Sequence, residues 1–211
     1  MKALPAFAAF ALVLVAATPE VLAGNTILQE HTKGQQAVAS FGTDTSIDCG
    51  DGETTGDFHI GITLLANELV QRSDFFPQQL DQVEIFLFTR NSCTGESGFG
   101  DGLILHPDLH WSSTVKATMR GSVAISDFFT GAPLGTVAFD LLFTGVGQTF
   151  RFQSHQQLEF PPFRLVQHSE GSFRNATLSG SITLDGVEFI GTASSPSLGK
   201  SRSGTIEMIR D

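Results

Sequence analysis

Two cysteines and five carboxylates gather in two short glycine-rich stretches of this chain. Asp48-Cys49-Gly50-Asp51-Gly52-Glu53 surrounds the first cysteine, and Glu96-Ser97-Gly98-Phe99-Gly100-Asp101 follows the second, Cys93. Hard cations such as calcium take carboxylate and carbonyl oxygens on flexible loops. If a bond between Cys49 and Cys93 draws the two loops together, Asp48, Asp51, Glu53, Glu96 and Asp101 form a candidate calcium site. Neither stretch has the ligand spacing of an EF-hand, and Asp-Gly pairs serve plain turns just as readily. The cysteines are an even pair without the Cys-x-x-Cys spacing of a redox centre, so a structural disulfide is expected, closing a loop of about 45 residues.

Other chemistry is thinner. His106 and His110 stand four apart, which on one strand or helix face suits a metal, but the glutamate of a His-Glu-x-x-His zinc helix is missing. Serines abound and His31, His59, His155 and His168 are scattered, yet no Gly-x-Ser-x-Gly elbow occurs to mark a hydrolase nucleophile. Glu84, Glu159 and Glu188 fall on candidate strands, where alternation points them to solvent rather than across a cleft. Asn175-Ala176-Thr177 fits the N-glycosylation pattern, which matters only on a eukaryotic secretory route.

The compartment follows from the leader. Lys2 precedes an apolar run from Ala3 to Ala17, Pro19 ends it, and Val21-Leu22-Ala23 supplies the small residue a signal peptidase needs. The run is about 15 residues, short of the ~20 that span a bilayer. Residues 1–23 are therefore expected to be a cleaved signal peptide and 24–211 a single secreted or periplasmic domain, with no stable membrane anchor after cleavage. The balance of 12 Lys and Arg against 22 Asp and Glu, net −10, opposes nucleic acid as a partner, since phosphate binding needs a basic face. With 19 Phe, one Trp and no Tyr, the aromatics are expected to pack a core rather than to form a sugar platform, although Trp111 remains a candidate for one.

The elements that must carry these groups are strands. Between Ser113 and Asp127, Val115, Ala117, Met119, Val123 and Ile125 share one parity, while Lys116, Thr118, Arg120 and Ser122 hold the other. That period of two predicts a half-buried strand. The pattern returns over 136–144 and 176–184, more briefly over 58–64 and 150–152, and weakly over 205–209. Val83 to Phe88 is apolar almost throughout, predicting a central strand covered on both faces. Asp185-Gly186 predicts a type I′ hairpin, and Thr130-Gly131-Ala132-Pro133 and Gly145-Val146-Gly147 predict further turns. Residues 63–72 admit one helical turn, and Pro161-Pro162 suits a sheet edge or extended loop. The fold class is all-β, an antiparallel β-sandwich or jelly roll, with a closed antiparallel barrel as the alternative.

Cys49, the Asn91 to Glu96 segment, Asp127 to Gly131, Phe143 to Gly147 and Ser172 to Ser181 together resemble secreted bacterial β-rich proteins with two cysteines. The resemblance implies an exported β domain and no particular activity. The expected role is non-enzymatic, structural or binding. An extracellular hydrolase and a lectin-like or adhesion module are the alternatives, and no cofactor beyond the candidate calcium is expected.

Overall fold

The computed structural model describes residues 26–52, 54–73, 78–160, 162–189 and 193–209. The leader and Glu53 lie outside them. Ten strands follow in order: β1 (Thr26–Asp48), β2 (Thr55–Ser73), β3 (Gln78–Asn91), β4 (Ser97–Leu105), β5 (Asp108–Ser112), β6 (Lys116–Asp127), β7 (Pro133–Phe160), β8 (Phe163–Leu184), β9 (Val187–Glu188) and β10 (Ser194–Ile209). Every strand pairing in the sheet is antiparallel, as the short turns predict.

The ladder runs β10–β1–β2–β3–β4–β6–β7–β8, and β8 returns to pair with β10, so these eight strands form a ring. β5 lies along β6, and β9 along β8. This all-β antiparallel ring is compatible with both a sandwich and a barrel. The ring has one thin seam: β4 meets β6 only at Gly100 with Asp127 and Asp101 with Ser126.

One parity of each strand faces the inside. Ala37, Ala39 and Phe41 on β1 meet Ala66, Leu64 and Ile62 on β2, which meet Val83, Ile85 and Leu87 on β3. Opposite them stand Met119 and Ile125 of β6 and Val137, Phe139, Leu141 and Phe143 of β7. These buried side chains form a single core, and moving that much apolar surface out of water drives the fold.

Several elements depart from expectation. Residues 63–72 are strand throughout, because Leu64 and Ala66 are wedged between β1 and β3 and any helical turn would break both ladders. Val115 is half-exposed and lies before β6; the positive φ of Ser113 turns the chain there, so the strand begins at Lys116. Residues 83–88 do sit mid-sheet, but Phe86 is 47% exposed, so only the inner face is covered. Gly145-Val146-Gly147 is no turn: β7 continues through it with a bulge between Val146 and Thr149, at which Gly147 takes a φ of 73°. Asp185 and Gly186 do adopt the positive φ pair of the predicted hairpin, 51° and 77°.

Candidate functional site

Towards one end of the ring the inward positions stop being apolar while the alternation continues. On β1 the inner series Phe41, Ala39, Ala37 runs on into Gln35 and Lys33; on β2 Ala66 is followed by Glu68 and Val70; on β10 Leu198 is followed by Lys200 and Arg202. On β8 the step away from Ala176 leads to Ser172 and Glu170, and on β7, past the bulge, to Arg151 and Gln153. Register aligns them into two rows across five strands. The first is Glu68, Gln35, Lys200, Ser172, Arg151; the second is Val70, Lys33, Arg202, Glu170, Gln153. Together they wall an open cavity of about 970 Å³.

The charges of this cavity run against those of the whole chain. Lys33, Arg151, Lys200 and Arg202 face Glu68 and Glu170 in a protein whose net charge is −10. Both carboxylates are engaged: Gln35 Nε2 donates to Glu68 Oε2 at 2.7 Å, and Arg202 Nη1 lies 3.5 Å from Glu170 Oε1. Among the described residues no carboxylate lies within ion-pair distance of Lys33, Arg151 or Lys200. On the same wall Ser172 is 5% exposed, and its Oγ is buried without a hydrogen-bond partner among the described residues. A buried hydroxyl left unsatisfied costs free energy that a ligand oxygen or nitrogen on this wall would recover.

The acidic loops are brought together by a Cys49–Cys93 disulfide with a Cα–Cα distance of 5.3 Å. Asp48, Asp51 and Glu96 accept hydrogen bonds from within their own segments. Asp48 Oδ1 accepts from Gly50 N at 2.8 Å, Asp51 Oδ1 accepts from Thr54 N at 2.8 Å, and Glu96 Oε2 accepts from Thr94 Oγ1 at 3.2 Å. Asp101 is not on a loop. It sits within β4, opposite Phe86 and Ser126, where the strand carries it away from the disulfide. Among the described residues, no group of three or more His, Cys, Asp or Glu side chains converges so as to hold a metal ion.

The remaining candidates are separated. His106 occupies a turn with φ 54°, while His110, on β5, pairs with Asp108 at 3.0 Å and is 80% exposed. His59 pairs with Asp44 at 2.8 Å on the outer face. Trp111 packs against the core with its Nε1 buried, so its ring is not presented as a platform for sugar. The aromatics as a class overturn the expectation of core packing: among the described residues nine phenylalanines are more than one-third exposed, with Phe128 and Phe129 at the tip of the β6–β7 turn the most exposed of these.

Sequence reasoning missed the cavity because its walls come from five strands spread between residues 33 and 202. It missed likewise a row of imidazoles just beyond it, where His31, Gly204, His168 and His155 are successive register partners. The available signal was a strand whose inner parity changes from apolar to cationic, visible at Lys200 and Arg202 after Leu198.

No family model matches the chain, and no curated protein matches its sequence. Solved structures of the enduracididine biosynthesis enzyme MppR overlap with it weakly. The complex with pyruvate is 11% identical, covers 85% of this chain and 88% of that one, and has a TM-score of 0.23. The form with HEPES buffer bound is 10% identical, covers 86% of each chain and scores 0.24. The form holding the condensation product of pyruvate and imidazole 4-carboxaldehyde is 10% identical, covers 85% and 87%, and scores 0.24. Overlap that low carries no statement about shared activity.

Proposed function

We propose that this is an exported, non-enzymatic binding protein that takes a small anionic molecule into the cavity at the open end of its strand ring. The observation that carries the reading is the grouping of Lys33, Arg151 and Lys200, none paired with a carboxylate among the described residues, around the buried and unsatisfied Ser172 hydroxyl. A volume of about 970 Å³ lies within the usual range for small-ligand sites. The net charge of −10 repels extended polyanions, whereas an ion small enough to enter the cavity meets the cations at short range. Export is supported by the apolar leader with its Ala23 cleavage pattern and by the disulfide, a bond that persists in oxidising compartments.

The test is calorimetric titration of protein recovered from the exported fraction, whose N-terminus is expected within about three residues of Gly24. Citrate and inorganic phosphate at low ionic strength are the probes. Saturable binding is expected. Charge-assisted hydrogen bonds contribute roughly 1.5–3 kcal/mol each, so Lys200→Glu with Arg202→Glu should weaken binding by at least about tenfold. Lys116→Glu, outside the cavity, should leave it unchanged. Equal binding by all three proteins would sink the cavity reading.

A further inference from the structure

β7 is the longest strand, and only part of it is paired on both sides. Over 137–144 it lies between β6 and β8, and the Gly145 amide still donates to Val115 O. Beyond the bulge, residues 149–160 pair with β8 alone. Among the described residues no strand covers their other edge, so a row of backbone N–H and C=O groups faces outward, ready to pair with another strand. All of residues 150–160 are exposed, on both parities.

The segment Phe150-Arg151-Phe152-Gln153-Ser154-His155-Gln156-Gln157-Leu158-Glu159-Phe160 is complementary to itself when reversed. An antiparallel two-fold pairing centred on His155 sets Arg151 opposite Glu159, Phe150 opposite Phe160, Phe152 opposite Leu158, and Gln153 opposite Gln157. Centring one residue earlier puts Arg151 opposite Gln157 and Phe152 opposite Gln156; centring one residue later puts Glu159 opposite Gln153 and Leu158 opposite Ser154. Only the His155 register gives opposite charges facing pairs and apolar side chains facing apolar ones, the arrangement that stabilises neighbouring strands. The outer face fits as well. Phe150 stacks on Phe173 of β8 with ring centroids 5.0 Å apart, and Phe160 is the register partner of Phe163. Pairing would join these two aromatic couples into one continuous row at each end of the junction. Phe150, Phe152, Leu158 and Phe160 are 49, 45, 46 and 63% exposed, and a second copy would cover them.

We propose that the protein is a two-fold homodimer joined edge to edge along residues 150–160 of β7, with the axis at His155. The contact is isologous and uses up the free edge of both copies, so assembly stops at two. Arg151 also borders the cavity, but Glu159 does not. In the dimer Arg151 faces a carboxylate of the second copy and is lost to the cavity as a free cation, while Lys33 and Lys200 remain. Sedimentation reads the dimer and titration reads the anion site, so the two fail separately.

Sedimentation velocity at micromolar concentration tests it, at pH 8, above the range in which histidines take up charge. The wild type should sediment as a dimer. Arg151→Glu sets two carboxylates opposite each other at both ends of the junction, and Glu159→Arg sets two cations there. Each single variant should weaken association by about tenfold or more. The double variant exchanges the charges and should dimerise like the wild type. Both residues are exposed, and circular dichroism should show the wild-type fold in all four proteins. A wild type that is monomeric, or that grows beyond two copies, overturns the proposal, and so does a dimer that ignores either single charge reversal.

Discussion

Asp127 shows how one polar side chain shapes a turn that carries two exposed aromatics. Its Oδ1 accepts from the Phe129 amide at 3.0 Å, the Thr130 amide at 2.7 Å and the Thr130 hydroxyl at 2.8 Å. These donors, the Thr130 hydroxyl foremost, hold the carboxyl below its usual range because they favour the charged form. A native carboxyl with a lowered pKa stabilises the fold at neutral pH, and that contribution is lost as pH falls below about 4 and the native group at last protonates. Asp127→Asn is therefore expected to melt below the wild type at pH 7, with the gap narrowing as pH falls below about 4. A gap independent of pH would show that the turn draws nothing from the ionised form. Part of this was legible: Thr130-Gly131-Ala132-Pro133 reads as a turn just after Asp127. The exposure of Phe128 and Phe129 was not, because composition alone does not say on which side of the chain a ring falls.

At the scale of elements, the seam between β4 and β6 is where the ring is thinnest. Two register pairs join the strands, and the space over them is filled by side chains lying across glycines. A Cβ added at Gly100 would stand 2.6 Å from Leu134 Cδ1 and 2.8 Å from Ile125 Cγ2; one at Gly102 would stand 2.8 Å from Ile125 Cδ1. Gly100→Val should therefore destabilise by about 1–3 kcal/mol, the usual cost of overpacking, read as a lower denaturant midpoint. Unchanged stability would mean that the seam can open without loss. Inward and outward positions along β6, β7 and β8 were predictable from their alternation, which is a property of the strand itself. The strand assignment at residues 63–72 was not, because there the neighbouring β1 and β3 ladders, rather than local preference, decide the conformation.

At the scale of the molecule, the disulfide is the one covalent tie across the ring. It links the end of β1 to the turn after β3 and holds Gly56 of β2 against both sulfur atoms. A sequence separation of 44 gives a loop whose closure in the unfolded chain contributes about 4 kcal/mol in the chain-entropy model. Reduction, or Cys93→Ser with Cys49→Ser, is expected to lower the melting temperature by several degrees without abolishing the strand signal in circular dichroism. A melting temperature indifferent to reductant would place the stability wholly in the core. The pairing itself was foreseeable, since a chain with two cysteines has one intramolecular choice.

What the sequence by itself determined is local and periodic. The β class, the parity of the long strands, the Asp185-Gly186 hairpin and the cysteine pair each depend on residue type and spacing within a short reach, or on a count. What only the tertiary structure decided depends on register between distant segments. Lys33, Lys200 and Arg151 share one wall because β1, β10, β8 and β7 lie side by side, and a one-residue slip would turn each of them to the other face. Asp101 leaves the acidic loops for the same reason: ladder pairing with β3 extends β4 back to Ser97. The free edge of β7 is also a tertiary fact, since its 28 residues outrun the 12 of β6 and leave the far half with a partner on one side only.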